Sequence, residues 1–303
     1  MDKNQLIFEI ERLKKERNAI ILAHNYQIGD VQDIADVVGD SYALAKKAAS
    51  TDSDVIVFCG VHFMAESAKI LNPEKTVLLP VLDAGCPMAD MVDKDGLRRL
   101  KEQHPDAKVV TYINSSAEVK AESDVICTSS NALKVISQLD AKKIIFAPDR
   151  NLGTYIARKL PEKEFILWDG FCLTHMRVKS EEVRKVRELY PEAKLLVHPE
   201  CSPEVQDLAD FLGSTSEIID YAGKIPEKEI IVGTEEGVLH IMRAKYPEKK
   251  FYLLSPGLIC PNMKKTRLED VYEALLHNRN IIEVDQEIRM KSLKALEEML
   301  RLG

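Results

Sequence analysis

The chain repeats itself three times, and no other feature restricts its fold as strongly. Three short apolar runs each end in a ring residue, and these residues are His24, Tyr112 and His198, at offsets of 88 and 86. Two positions later each copy carries another polar residue, namely Tyr26, Asn114 or Glu200. Because buried parallel strands read as continuous apolar runs, we expect the three runs to be equivalent strands.

The same spacing recurs at two later landmarks. Each copy has a hydroxyl residue in register, and these residues are Ser41, Ser129 and Thr215. Each copy also has a cysteine after its last apolar run, and these cysteines are Cys86, Cys172 and Cys260. Agreement at separate landmarks along the copies indicates a true triplication.

The length of the repeat predicts the architecture. A period of about 87 residues is too long for a solenoid unit, so each copy should be a small domain. Strand-like runs alternate with helical patterns, as at Leu6, Ile10 and Leu13, which favours parallel sheets covered by helices. The predicted fold is α/β, with three αβα domains related by a pseudo-threefold axis. The predicted limits are 1–104, 105–190 and 191–278, with a C-terminal segment, 279–303, that packs back on the first domain.

The strand ends predict one shared active site. Ligands bind at the carboxyl ends of strands in parallel sheets, and a threefold axis brings three sets of strand ends together. Glu200 is the best candidate for a general base, and Tyr26 and His198 are candidate proton donors. His24 and Tyr112 could take either role.

The hydroxyls in register suggest binding of anions. Ser41 and Ser129 open helical patterns, where a hydroxyl ordinarily caps the helix. A helix N-terminus aimed at the axis is also an anion site for phosphate or carboxylate. Asn114 is a candidate amide for orienting such a substrate.

The six cysteines fall into two classes. Cys59, Cys127 and Cys201 have no counterparts in the other copies and read as inert buried thiols. The three cysteines in register would meet at the axis and hold a metal centre. Two centres suit them: a zinc ion with His175 as fourth ligand, or a four-iron cluster with one iron open to substrate. Symmetry and soft sulfur ligands favour the cluster.

Two further segments, 148–153 and 233–237, also follow predicted strands. They lack the glycine spacing of a phosphate-binding or dinucleotide-binding loop. We therefore interpret both as structural turns.

Charge and hydropathy restrict the partners. The formal net charge of −7 provides no sequence-wide basic field for nucleic acid or a membrane surface. No apolar run approaches the roughly 20 residues that span a bilayer, and the first residues lack the apolar segment of a signal peptide. We expect a cytoplasmic enzyme that acts on small molecules and has neither nucleic acid nor membrane as a partner.

Over essentially its whole length the chain resembles the quinolinate synthetase A family, the quinolinate synthases of NAD biosynthesis. The motifs that carry the resemblance include AHNYQ at 23–27, GCPM at 85–88, YINS at 112–115, HPEC at 198–201 and CPNMK at 260–264. The resemblance implies a transferase reaction that condenses iminoaspartate with dihydroxyacetone phosphate to quinolinate, phosphate and two waters. It also implies an upstream L-aspartate oxidase or aspartate dehydrogenase that supplies iminoaspartate.

The resemblance further implies a cofactor and roles for individual residues. A four-iron, four-sulfur (4Fe–4S) cluster would be held by Cys86, Cys172 and Cys260, with its open iron acting as a Lewis acid. The implied catalytic residues are Glu200, Tyr26, His198, His24 and Tyr112. The implied substrate contacts are His24, Ser41, Tyr112, Ile113, Asn114, Ser129, His198, Pro199, Glu200 and Thr215.

The residues alone leave two other functional classes open. One is a zinc or mononuclear-iron lyase that acts on a sugar phosphate, which the absence of acid-labile sulfide would reveal. The other is a non-catalytic iron–sulfur sensor, which would keep its function when Glu200 is replaced by glutamine.

Overall fold

The computed structural model covers residues 1–303 and follows the threefold repeat. The first unit consists of α1 (Lys3–Glu16), β1 (Ala19–His24), α2 (Gly29–Asp33), β2 (Val37–Gly39), α3 (Ser41–Ser50), β3 (Val55–Cys59), α4 (His62–Leu71) and β4 (Thr76–Leu78). The second consists of α5 (Lys94–Gln103), β5 (Lys108–Tyr112), α6 (Ala117–Ala121), β6 (Val125–Cys127), α7 (Ala132–Ser137), β7 (Lys143–Ala147), α8 (Arg150–Lys159) and β8 (Glu164–Leu167), followed by the short helix α9 (Leu173–Met176).

The third unit repeats this order and is followed by two C-terminal helices. It consists of α10 (Ser180–Leu189), β9 (Lys194–Val197), α11 (Pro203–Gln206), β10 (Phe211–Leu212), α12 (Thr215–Lys224), β11 (Glu229–Gly233), α13 (Val238–Lys245) and β12 (Lys250–Leu253). The helices that follow are α14 (Leu268–His277) and α15 (Gln286–Leu302).

Each unit contains one parallel sheet of four strands with the same topology. The strand orders are β2-β1-β3-β4, β6-β5-β7-β8 and β10-β9-β11-β12. The register repeats as well, since the equivalent strand partners are Leu22 with Phe58, Val110 with Phe146, and Leu196 with Val232. The predicted α/β fold of three αβα units is therefore confirmed.

The central strands form because their side chains can be buried on both faces. All five residues of β3 are buried, and in β7 only the first, Lys143, is partly exposed. Helices that flank the sheets cover these apolar runs, as is usual for parallel sheets. The strand ends are therefore held by packed cores on either side.

Buried glutamines join neighbouring units. The Gln32 amide donates to the carbonyl oxygens of Asn25 and Gln27 at 3.0 and 2.9 Å, and to Gly237 of the third unit at 2.9 Å. Its equivalent, Gln206, donates to two carbonyls of its own unit and also reaches the carbonyl of Asn151 in the second unit, at 3.4 Å. Each glutamine thus holds a strand-end loop and contacts the adjoining unit.

The C-terminal segment contacts the first two units. Asn280 and Ile282 form backbone hydrogen bonds with Leu79 and Val77 at the end of the first sheet. Helix α14 packs against α1, whereas α15 packs against α6 and β6 of the second unit and against α4 of the first. The domain limits given above stay a prediction. None of the helices is both long and apolar enough to cross a membrane.

We predict that Gln32→Leu lowers the free energy of unfolding by about 1–3 kcal/mol, because buried carbonyl oxygens lose their donor. Urea denaturation at neutral pH measures the change. Gln103→Leu is the matched control, since Gln103 is exposed at the end of α5 and should leave stability nearly unchanged. Equal stability of both variants would contradict the proposed joining role of Gln32.

Candidate active site

The strand ends of all three units meet at one cavity. Its lining contains most residues singled out in the sequence: His24, Tyr26, Ser41, Cys86, Tyr112, Asn114, Ser129, Cys172, His198, Glu200, Thr215 and Cys260. Ile113 and Pro199 do not line it. Ile113 is buried in the core behind the strand end, and the carbonyl of Pro199 accepts a hydrogen bond from Gln206.

Two equivalent histidines have the same hydrogen-bonding arrangement. The backbone N–H groups of Tyr26 and Glu200 donate to Nδ1 of His24 and His198, each at 3.2 Å. An Nδ1 that accepts a hydrogen bond is unprotonated, so the proton of the neutral ring lies on Nε2. The Nε2 of His198 is 3.3 Å from Oγ of Ser129.

Burial keeps both rings neutral. It lowers the pKa of His24 to about 3 and the pKa of His198 to about 4, even though the carboxylate of Glu200 acts in the opposite direction. Both side chains are therefore Nε2–H donors to a bound molecule at neutral pH, rather than proton acceptors at that atom.

Glu200 is buried and bonded at both oxygens. The Tyr112 hydroxyl donates to Oε1 at 2.7 Å, and Nδ1 of His175 lies 2.8 Å from Oε2. Burial alone would raise the pKa of Glu200, but His198, His175 and the Tyr112 hydroxyl hold it below its usual range. Burial and the adjacent Glu200 raise the pKa of Tyr112, which therefore stays a donor.

Tyr26 belongs to the same network through Thr234. Its hydroxyl lies 2.8 Å from Oγ1 of Thr215 and 2.7 Å from Oγ1 of Thr234, and Thr234 is also 3.0 Å from Nε2 of His175. A continuous chain of hydrogen bonds therefore runs Tyr26–Thr234–His175–Glu200–Tyr112 across all three units.

Reasoning from sequence gave neither Thr234 nor His175 its place in this chain. His175 was considered only as a zinc ligand, and it has no histidine in register in the other copies. Thr234 lies in the segment interpreted as a structural turn. Its position directly after β11, at a strand end like the other polar residues, is the signal that could have identified it.

Two buried carboxylates hold the cysteine loops of the second and third units. The backbone N–H of Cys172 donates to Oδ2 of Asp149, and that of Cys260 donates to Oε1 of Glu235, each at 3.0 Å. Both carboxylates are fully buried at 0% exposure, and Glu235 forms an ion pair with Lys264 at 2.9 Å. The two segments interpreted as turns therefore also fix the direction of two cysteines.

All three cysteines in register are thiols of the cavity wall, whereas Cys59, Cys127 and Cys201 are buried. Burial raises the pKa of Cys86 to about 12, and it raises the pKa of Cys172 and Cys260 as well. Thiolates here would need a nearby positive centre, which a metal provides. Sγ of Cys172, a ring nitrogen of His175 and a carboxylate oxygen of Glu200 lie within 4.8 Å of one another, an arrangement compatible with metal binding.

The hydroxyl residues occupy positions slightly different from those expected. Asp40, rather than Ser41, caps α3 through a side-chain oxygen, and Ser214 caps α12 in the same way. Ser41 and Thr215 are the first helical residues and line the cavity. Ser129 lies in a turn before α7 and does not begin that helix. Because the caps satisfy the first turns of α3 and α12, the Ser41 hydroxyl remains available to a ligand. The Thr215 hydroxyl, which contacts Tyr26 at 2.8 Å, keeps further hydrogen-bonding capacity.

Comparisons with known proteins agree over the full chain. The family model described as quinolinate synthetase A protein matches residues 8–301. The quinolinate synthase of Alkaliphilus metalliredigens is 59% identical over 302 residues, which cover 100% of both chains. Those of Caldicellulosiruptor saccharolyticus and Clostridium kluyveri are 57% and 56% identical over 303 and 302 residues, again 100% of each chain.

We predict that His24 and His198 remain neutral, with the proton on Nε2, as the pH falls from 8 to 5. Their lowered pKa values, about 3 and 4, lie below this window. Long-range proton–nitrogen NMR correlation spectra distinguish the tautomers, and His24→Gln and His198→Gln variants assign the signals. A titration midpoint near the ordinary value of about 6.5 for either ring would contradict the prediction.

The same shifts give stability a pH dependence. Unfolded histidines take up protons below about pH 6.5, whereas the folded rings do so only near 3 and 4. The unfolded state therefore binds more protons in this window. The contribution of both rings to the free energy of unfolding therefore falls as the pH is lowered from about 6.5 towards the folded-state pKa values.

Proposed function

Because the chain belongs to the quinolinate synthetase A family and its activity is the synthesis of quinolinate in NAD biosynthesis, we propose that it condenses iminoaspartate with dihydroxyacetone phosphate. The products of this transferase reaction are quinolinate, phosphate and two waters. The observation that carries the proposal is the cavity in which three thiols and a hydrogen-bond chain from all three units meet.

The donor set fits an iron–sulfur cluster. Cys86, Cys172 and Cys260 line one cavity, and their soft sulfur atoms are the ligands that such clusters use. We assign a 4Fe–4S cluster to these three residues. When bound, the cluster supplies an iron without a cysteine ligand that polarises an oxygen atom as a Lewis acid.

Proton transfer falls to the chain of hydrogen bonds. Glu200 is an ionised carboxylate of the cavity wall, and in this proposal it is the base that removes protons from carbon or nitrogen of the substrates. Burial raises the pKa of Tyr26, which keeps its hydroxyl protonated as a donor at the other end of the chain. Between them, Thr234 contacts Tyr26 and His175, and His175 contacts Thr234 through Nε2 and Glu200 through Nδ1, which allows a proton to be returned along the chain. Nδ1 of His175 also lies 3.2 Å from Sγ of Cys172.

Other residues bind and orient the substrates. The Nε2–H groups of His24 and His198 donate to carboxylate or carbonyl oxygens, and Ser41 and Thr215 offer hydroxyls at helix N-termini to the phosphate. The side-chain oxygen of Asn114 is buried, lines the cavity and has no hydrogen-bond partner in the protein. An amine or hydroxyl of the substrate would satisfy it.

Apolar side chains complete the wall. Val61, Phe63, Met64, Met88 and Met263 all line the cavity. Iminoaspartate hydrolyses in water, so a wall that excludes water protects it before carbon–carbon bond formation. An L-aspartate oxidase or aspartate dehydrogenase would supply this unstable substrate.

We predict that protein reconstituted without oxygen forms quinolinate over many turnovers from freshly generated iminoaspartate and dihydroxyacetone phosphate. Cys86→Ala, Cys172→Ala and Cys260→Ala should each lose the cluster and the activity, whereas Cys59→Ala should retain both, since Cys59 lies in the core of β3. Iron, zinc and acid-labile sulfide are measured beside quinolinate.

Two results would reject the proposal. Absence of quinolinate from protein with a full cluster would reject the reaction. A metal ion without labile sulfide would favour the lyase alternative, with Cys172, His175 and Glu200 as the mixed ligand set.

We predict that Glu200→Gln lowers kcat by about 10²–10⁴-fold, the usual contribution of a general base. The amide keeps an oxygen that accepts from Tyr112, so the cluster and the fold should remain. Glu204→Gln is the matched control, because Glu204 is exposed on α11. Unchanged turnover in Glu200→Gln would remove Glu200 as the base.

A further inference from the structure

The buried glutamines that join the units have a lysine as their third counterpart. Lys120 lies at offsets of 88 and 86 from Gln32 and Gln206, and it is fully buried in α6. Its Nζ donates to the carbonyl oxygen of Ser115, the residue equivalent to Gln27. The second unit thus keeps the local hydrogen bond of the glutamines but carries a charge at its end.

The charge faces the first unit. Gln32 and Gln206 reach the carbonyls of Gly237 and Asn151 in neighbouring units, and the equivalent residue opposite Lys120 is Phe63. Nζ of Lys120 lies 5.5 Å from the centre of the Phe63 ring, a cation–π distance. The Phe63 ring lines the cavity, whereas Lys120 does not.

The three cysteines therefore differ in the charge of the side chain at the equivalent neighbouring position. Asp149 and Glu235 stand behind Cys172 and Cys260, whereas the equivalent position in the first unit is the apolar Val61. Phe63 lies beside the Cys86 loop, because the backbone N–H of His62 donates to the carbonyl oxygen of Ala84 at 2.8 Å, and Lys120 therefore places a cation on the Cys86 side.

The surroundings of Lys120 are consistent with a buried charge that interacts with Cys86. Burial lowers the pKa of Lys120 to about 8, and the Glu66 carboxylate and Cys86 in its thiolate form act against that fall. Glu66 is the other charged group nearby, and its carboxylate accepts the backbone N–H of Ala117 at the start of α6 at 3.1 Å. A thiolate-bound centre on Cys86 would add negative charge on this side.

We propose that Lys120 is an electrostatic residue that stabilises added negative charge on the Cys86 side of the cavity and so raises the reduction potential of the bound cluster. The inference rests on the proposed function, since it requires a cluster on the three cysteines. Lys120 does not line the cavity itself, but its ammonium lies over the ring of Phe63, which does. Its action is therefore through charge across a low-dielectric wall rather than through contact with a substrate.

The test is an anaerobic redox titration of the cluster-loaded protein, in which electron paramagnetic resonance measures the reduced cluster at each potential. Lys120→Gln installs the residue found in the other two units, and Lys120→Met removes the charge with little change in volume. Both should lower the midpoint potential by at least 59 mV, which is a tenfold lower ratio of reduced to oxidised cluster for one electron. Lys108→Gln, at an exposed position of β5, removes the same charge and should leave the potential unchanged.

The outcomes separate charge from structure. Lys120→Gln should keep near-native urea stability because its amide can reach the Ser115 carbonyl, whereas Lys120→Met should lose stability. Native potentials in both cluster-loaded variants would overturn the inference, and so would loss of the cluster from both, which would make Lys120 purely structural. Failure of the native protein to bind a cluster would instead overturn the proposed function.

Discussion

The structure depends on one geometric constraint: the carboxyl ends of three parallel sheets have to meet. In a parallel sheet the strand ends leave backbone groups and side chains at a common edge, and a single edge offers few functional groups. Triplication supplies three such edges, with strand registers repeated at equivalent pairs of residues. No unit alone contains a base, a donor and three thiols, so the chemistry belongs to the junction between the units.

Hydrogen bonds across the junction turn this symmetry into an asymmetric site. The same strand-end position is occupied by His24, Tyr112 and His198 in the three units, and it therefore provides two imidazoles and a phenol. The second polar positions differ further, and only Glu200 is a carboxylate among them. The same divergence places carboxylates behind two cysteines and an apolar side chain behind the third. A pseudo-symmetric scaffold therefore positions the groups, while differences between the copies give each group a separate role.

From the sequence we could predict the features that all three copies share. Few of the contacts between the copies could be predicted in this way. Strands, their equivalence and the cavity-lining positions follow from periodicity and register, because parallel strands impose both. His175 could not be placed in this way, since it has no counterpart and its contact with Glu200 spans two units. The contacts of Asp149 and Glu235 with cysteine N–H groups depend on loop conformations that periodicity does not describe. The expected helix start at Ser129 was wrong because the chain forms a turn before α7.

The contact between Gln32 and Gly237 also has a consequence for how the chain acquires its structure. These residues are 205 positions apart, whereas each sheet is built from strands close together in the chain. Local sheets can form early, but contacts of such sequence separation carry a large loop-closure cost and form late. During synthesis, the first unit therefore waits for almost the entire chain to leave the ribosome before its part of the cavity is closed. An incomplete polypeptide would display ordered units with their thiols still accessible, so the joining of the units is also the step that protects the cysteines.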